Sequence, residues 1–503
     1  MMRGGVVKKL ALSCSACALA LAASPAQADT LQEALTQAYT NNPTIEGARA
    51  NLRATDENVQ IERSAGLPSA EATAAATEFV RQSDANRAFS PERALTVGVD
   101  LGVPLYSGGA VKNSVRAAKD RIEAGRADLR GTESAIFTRV VAAYMDVLRG
   151  QALVALSANQ VDVLGVNVQA TSDRFEIGDL TRTDVAQSQA RLAIAQGDLR
   201  SAQANLIAAR EDYIALVGEA PTDLQAPPPL PGLPASAETA VDVALENNPD
   251  LIAARERAAA FGYDIEVAGA SRLPRISVFA GYDYQNFLGT SPARVFDPDD
   301  PSVPLVPADQ TTAAAQAGVS LRVPIFQGGR PAALQRQATA RATAALEQVI
   351  AAERDVIAQV RSAYSSLQAS LAIIESSQSA VDAAALSLEG VRAENSIGNR
   401  TILDVLNAEQ ELLQSRVQLV TARRNAYVAG FSLLAAMGRA EARDLGLGDE
   451  GVLYDPLTNY ERVSGRIWDW DRDPAPEATS TSTATVPAQT ADIPEIADEP
   501  VSN

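Results

Sequence analysis

Large apolar residues recur at strict sevens in two distant parts of the chain. Val185, Leu192, Leu199, Leu206 and Tyr213 keep one register, and Val405, Leu412, Leu419, Ala426 and Leu433 keep it again. Ala195, Ala202 and Ala209 run between the large residues of the first set. A seam of large residues alternating with alanine over four heptads is the pattern of a coiled coil whose helices approach closely. It predicts helices over 181–217 and 401–437. Ahead of each lies a longer helical run, 110–177 and 330–397, of 68 residues in both cases. At 1.5 Å per residue such a helix is about 100 Å long, too long for the core of a compact domain. Glycines at 125, 131, 150 and 165 interrupt the first run. Each costs about 1 kcal/mol relative to alanine, so packing must hold that helix together.

Upstream of both long runs the period changes from seven to two. In Thr96-Val97-Gly98-Val99-Asp100-Leu101-Gly102-Val103 the residues Val97, Val99, Leu101 and Val103 fall on one face. Strands are predicted over 73–80 and 94–104, joined by a polar loop over 83–93, and again over 276–284 and 313–324. The second loop is longer by 14 residues, around Asp297-Pro-Asp-Asp-Pro301, as an exposed tip tolerates. A helical arm over 31–66, re-started at Pro43 and stopped by Leu67-Pro68, opens the first half.

The chain is thus written twice. Leu101-Gly-Val-Pro-Leu-Tyr-Ser-Gly-Gly109 returns as Leu321-Arg-Val-Pro-Ile-Phe-Gln-Gly-Gly329, and Asn41-Asn42-Pro43 returns as Asn247-Asn248-Pro249. Gly178 with Asp184-Val185 returns as Gly398 with Asp404-Val405. Tandem duplication is the direct reading. The opening arm and the return helix together approach the length of the long helix, so two short helices stacked end to end can pair with one long one. The predicted organisation is a first helix-strand-strand-helix repeat over 29–225, a Pro-rich linker over 226–236, a second repeat over 237–440, a C-terminal strap over 441–473 against the helical body, and a disordered acidic tail over 474–503.

Composition narrows what these elements can do. Residues 1–28 read as a secretory signal peptide: Arg3, Lys8 and Lys9, an apolar run from Leu10 to Ala23, then Ala26-Gln27-Ala28. Both cysteines, Cys14 and Cys17, lie inside it, and the chain has no histidine. The commonest general base and the commonest metal ligands are therefore missing from the mature chain, and neither a cofactor nor a metal is expected. The net charge of −19 argues against a nucleic-acid partner, which requires a basic stripe. Beyond the signal peptide no uninterrupted apolar stretch predicts a transmembrane helix.

Four amphipathic strands cannot close a membrane barrel alone, since open edges are not tolerated in lipid. The chain must pool strands with copies of itself, and three copies would supply 12 strands. Tyr106 and Phe326 end the second strand of each pair, and Phe279, Tyr282, Tyr284 and Phe287 sit in the third strand, as interfacial girdles of outer-membrane lipid would require.

Taken together, the two Val-Pro-x-aromatic-x-Gly-Gly junctions, the Asn-Asn-Pro openings and the tip sequences Phe175-Glu-Ile-Gly-Asp-Leu-Thr-Arg-Thr-Asp-Val185 and Ser396-Ile-Gly-Asn-Arg-Thr-Ile-Leu-Asp-Val-Leu406 resemble the TolC-like outer-membrane efflux protein family. The resemblance spans 29–445. It implies an α+β membrane fold: a homotrimer forming a 12-stranded β-barrel in the outer membrane, continued by an α-helical tunnel in the periplasm. It also implies a periplasmic adaptor protein and an inner-membrane pump of ABC or RND type as partners. By motif match the turns at Gly178 and Gly398 form the periplasmic tip, Arg400 pairs with Thr183 and Asp184, and Asp404 points into the entrance. Gly108, Gly109, Gly328 and Gly329, with Tyr106 and Phe326, mark the membrane-interface junctions. Asn395 and Asn407 depart from the family, where a gate tyrosine and a second ring aspartate can stand. Thr181-x-x-Asp184 and Thr401-x-x-Asp404 also read as capping boxes.

The functional expectation is a passive conduit of a tripartite export system, gated at its periplasmic tip, for type I protein secretion or multidrug efflux. A periplasmic coiled-coil adaptor or scaffold is the alternative; it would carry one hairpin between compact β-domains. An enzyme lacks support, because only scattered carboxylates remain on solvated helix faces.

Overall fold

The computed structural model describes residues 30–83, 86, 90–292, 308–448 and 453–492. The signal peptide, both cysteines and the Asp297–Pro301 stretch lie outside them. Each repeat has the same order. The first runs α1 (Leu31–Asn41), α2 (Pro43–Ser64), β1 (Ser69–Glu78), β2 (Arg93–Tyr106), α3 (Ala110–Glu176) and α4 (Arg182–Val217). The second runs α5 (Ala237–Asn247), α6 (Pro249–Gly269), β3 (Arg275–Asn286), β4 (Thr311–Arg322), α7 (Arg330–Ser396) and α8 (Ile402–Ala436), and α9 (Pro456–Val463) follows. Both long helices have 67 residues.

The four strands form one antiparallel sheet in chain order, with β2 and β3 joining the two repeats. The registers sort its faces. Ala70, Ala72, Ala74 and Ala76 lie opposite Leu101, Val99, Val97 and Leu95, which lie opposite Ala280, Tyr282, Tyr284 and Asn286. Val319 and Leu321 continue this face opposite Val278 and Ile276. The other face carries Glu71, Thr73, Thr96, Asp100, Asp283, Gln316 and Ser320. One side is suited to lipid and the other to water.

Phe279 departs from the expected girdle. Its odd number puts it on the polar face, across from Gly102 and Gly318, and a Cβ on Gly318 would meet the Phe279 ring at 3.0 Å. The ring covers backbone that the glycine leaves bare. Tyr282 and Tyr284 keep the apolar side, while Phe287 lies just beyond the end of β3. A bulge between Pro104 and Tyr106 turns Tyr106 onto the apolar face, opposite Ile276. β4 ends at Arg322 instead of reaching Pro324, because its partner β3 begins at Arg275, directly opposite Arg322.

Below the sheet, α3 packs against both α2 and α4, and α7 against both α6 and α8. The repeated Asn-Asn-Pro explains how short helices become one column. Asn42 caps α2 by accepting from the Thr44 N–H at 2.9 Å, and its amide donates to the Leu216 carbonyl at 2.8 Å. Asn248 does the same for α6, accepting from Asp250 at 3.0 Å and donating to Ala436 at 2.9 Å. One side chain therefore caps the starting helix and satisfies a terminal carbonyl of the ending one. Gly438 turns away from α8 at φ +70°, where a Cβ would sit 2.3 Å from the Asn247 carbonyl.

The largest core lies at this level, where Phe137, Val140, Val141, Tyr144 and Val147 of α3 meet Leu206, Tyr213 and Phe431. By length and composition α3 is apolar enough to cross a membrane, contrary to expectation. Its apolar side is spent on this core. The linker crosses the helices pinned by three tyrosine hydroxyls: Tyr144 to Gln225 at 2.7 Å, Tyr427 to Pro228 at 3.1 Å and Tyr364 to Ala235 at 3.0 Å.

Beside the core Glu133 is buried near Arg49, Arg130, Glu441 and Arg443, with its carboxyl pushed up to about 7. Burial is the main cause; Arg49 opposes it and Glu441 reinforces it. Arg49 is stacked between Tyr39 and Tyr454, 4.3 and 5.1 Å from the ring centroids. Residues 474–492, expected to be disordered, instead lie along the helices: Thr479 donates to Glu46, and Arg210 donates to the carbonyls of Thr490 and Asp492. The acidic composition that argued for disorder overlooked a buried arginine with unmet donors.

Two outcomes are expected. Replacing Asn42 or Asn248 with alanine costs about 1 kcal/mol or more, and replacement with aspartate, which caps but cannot donate, costs less; denaturant midpoints followed by circular dichroism check both. The folded chain holds the Glu133 proton more tightly than the unfolded chain does. The stability this confers is complete below pH 4.5 and lost as pH rises through about 7, roughly 3 kcal/mol in all. Glu133→Gln should therefore flatten the fall in thermal midpoint between about pH 5 and about pH 8.

Candidate functional site

At the end far from the sheet, each long helix turns back through the same six-residue device. Gly178 and Gly398 hold φ +84° and +82°, values that cost a side chain but not glycine. Asp179 N–H reaches the Arg174 carbonyl at 2.9 Å and Asn399 N–H reaches Glu394 at 3.0 Å, closing Schellman turns. The return helices then start on reciprocal caps. Thr181 N–H and hydroxyl donate to Asp184 at 2.9 and 2.6 Å, and Thr401 donates to Asp404 at 3.0 and 2.7 Å. The threonine hydroxyl, then the backbone N–H, holds each carboxyl below its ordinary value. Both aspartates are anionic at neutral pH and lie at the extreme end of the hairpins.

Within the chain Arg400 does not meet Thr183 or Asp184. It donates to Glu394 at 2.7 Å, across its own turn. Thr183 is exposed. The first turn has the mirror arrangement, Arg174 with Asp179 at 2.7 Å. The two ends thus carry the same ion pair in opposite polarity, each too exposed to add much stability. Asn395 donates to the Arg400 carbonyl at 2.8 Å and braces this turn.

What joins the two hairpins sits one to two turns inward, and the sequence pattern missed it. Glu409 is only 3% exposed. It accepts from Asn167 of α3 through both carboxylate oxygens at 3.0 Å, and from Arg392 of α7 at 3.0 Å. Arg191 of α4 donates to Asn407 of α8 at 3.1 Å. Between these bonds Leu164, Ala195 and Leu406 form a small apolar core. Farther along, Arg424 grips Asp146 with two bonds of 3.1 and 2.7 Å. A charged residue one step from the Ala408 and Leu412 seam was the available signal for Glu409.

Among the described residues no cluster of acidic side chains could hold a metal. The wider cavities lie along the helix surfaces, such as one of about 590 Å³ beside Ser134, Thr138, Pro249 and Gln359.

The architecture at both ends, sheet above and hairpin tips below, has a counterpart in known proteins. A family model described as outer membrane efflux protein matches residues 34–219 and 240–439. The chain belongs to the outer membrane efflux protein family. Among relatives of this efflux family, the outer membrane efflux protein BepC of Brucella suis is 32% identical over 450 residues, covering 89% of this chain and 93% of BepC. The alkaline protease secretion protein AprF of Pseudomonas aeruginosa is 29% identical over 325 residues, covering 63% of this chain and 64% of AprF. The solved structure of the outer membrane protein VceC of Vibrio cholerae shares the fold, with a TM-score of 0.68 at 23% identity, covering 81% of this chain and 96% of VceC. This efflux protein therefore resides in the outer membrane as a transport channel, with its helices in the periplasm.

Replacing Glu409 with alanine strands Asn167 and the half-exposed Arg392. The expected cost is about 1–2 kcal/mol at the tip, read as roughly tenfold faster amide exchange over 160–175 and 400–412 with the sheet unchanged.

Proposed function

We propose that three copies of the chain close into one passive duct and that the hairpin tips form its gate. The observation that carries this reading is the sheet, which has one apolar face, one polar face and two unpaired edges, β1 and β4. Such a sheet is stable in lipid only when a further sheet meets each edge. The two repeats also differ in what surrounds them. Gly108, at φ +68°, lies so near Ala270 and Leu273 that a Cβ would come within 2.9 Å of both, while Gly328, at φ +58°, faces open space. A neighbouring copy supplying its own 64–67 turn would fill that space in the same manner.

Cyclic assembly of three such chains gives 12 strands and a ring of six hairpins. At the ring's narrow end Asp404 would contribute a circle of carboxylates. Arg400 would exchange its Glu394 partner for Thr183 and Asp184 across a subunit boundary when the entrance closes. The energy for transport would come from an inner-membrane ABC or RND-type pump reached through a periplasmic adaptor. BepC is named for efflux and AprF for protease secretion, so both cargo classes fall within reach of the same duct.

In planar bilayers Arg400→Ser should raise single-channel conductance by about twofold or more, and Asp404→Ala should weaken block by divalent cations. Unchanged conductance and block in both variants would overturn the gate. A soluble periplasmic species, in place of a heat-modifiable outer-membrane trimer, would overturn the duct.

A further inference from the structure

After the second repeat the chain climbs back toward the sheet along α1 and α2. Tyr454 N–H donates to the Tyr39 hydroxyl at 2.8 Å, Asn459 on α9 donates to the buried Asp56 at 2.7 Å, and Arg63 donates to the Ser464 carbonyl at 3.1 Å. From Tyr39 through Asp56 to Arg63 the contacts advance to the last turn of α2, next to the start of β1 at Ser69. The chain then turns and descends. Thr479 bonds Glu46, and beyond it Gln489 N–H donates to Glu211 at 3.2 Å. The neck of this hairpin is clamped by Asp473, which accepts two bonds from Arg462 at 2.8 and 3.0 Å and one from Arg466 at 2.9 Å.

The apex is Ile467-Trp468-Asp469-Trp470. Its apolar side chains were expected to lie against the helical body, yet they are 70%, 72% and 73% exposed. These are the only two tryptophans of the chain. The hairpin's root at Ser464 is held by Arg63, a few residues before β1 begins, and at the strand-to-helix junctions Leu105, Tyr106, Ile325 and Phe326 are also exposed. We infer that this hairpin is a membrane foot, with Trp468 and Trp470 seated in the glycerol and carbonyl layer of the inner leaflet beside the barrel. An indole suits that layer because its ring is apolar and its N–H needs an acceptor, which lipid ester carbonyls supply. The local charge is balanced, with Arg466 and Arg472 against Asp469 and Asp471, so anionic lipid is not required.

The inference rests on the outer-membrane location, and the two can be tested separately. The full-length protein is reconstituted into phosphatidylcholine vesicles, where heat-modifiability and conductance report insertion independently of the apex. Because both tryptophans are in the apex, wild-type emission is its own reporter. Lipid brominated near the glycerol end of the acyl chains should remove about half of that emission, and aqueous iodide should remove little. Trp468→Phe and Trp470→Phe should each leave a signal with the same preference. Emission quenched by iodide and not by brominated lipid would put the apex in water and overturn the inference. Emission shielded from both, and already shielded in detergent, would place it in a contact between copies and overturn it equally.

Discussion

Every backbone N–H and C=O that enters hydrocarbon must find a protein partner, because no water is there to provide one. In this chain that requirement concentrates at two places, the outer edges of β1 and β4. Within one copy the helical columns pair and the caps close, although α7 still leaves Leu346, Leu371 and Leu386 exposed. The sheet is left with two open edges, and just past β4 residues such as Ile325 and Phe326 stand almost bare. The junction glycines tell the same story, since Gly108 is seated against the second repeat while Gly328 and Gly329 face open space.

The helical part solves a different problem, that of making a column from pieces. A helix that ends leaves carbonyls unmet, and one that starts leaves N–H groups unmet. Asn42 and Asn248 use one amide for both. The side chains that lock one hairpin to the other are of the same economical kind, for Glu409 serves Asn167 and Arg392 at once. Motion of the tips within one chain must therefore either break these bonds or carry both hairpins together.

Much of this was legible in the residues because it rests on period. The heptads of Val185–Tyr213 and Val405–Leu433 located the return helices, and alternation around Val97–Val103 located β2. Parity was available too, and it assigns Phe279 to the polar face against the girdle role its aromaticity suggested. Other features were not legible because they depend on pairs remote in sequence. A charge beside the Ala408 and Leu412 seam hints at Glu409, but its partners Asn167 and Arg392 lie on other helices. The course of residues 474–492 was hidden for the same reason, since composition reports average solvation and not a single arginine such as Arg210 waiting for carbonyls. Boundaries moved where a partner decided them: β1 begins at Ser69 because Gly102 is opposite.

The opposed ion pairs at the two turns carry one more consequence. Arg174 with Asp179 and Glu394 with Arg400 put cation and anion in reversed order at otherwise matching ends. Seen from below, a closed ring of six such ends would look sixfold in its backbone and threefold in its charge. A partner ring of the same spacing could then settle in only half of the rotations that shape permits. In such a ring the duplication would supply the even spacing, and the two swapped charges would supply the key.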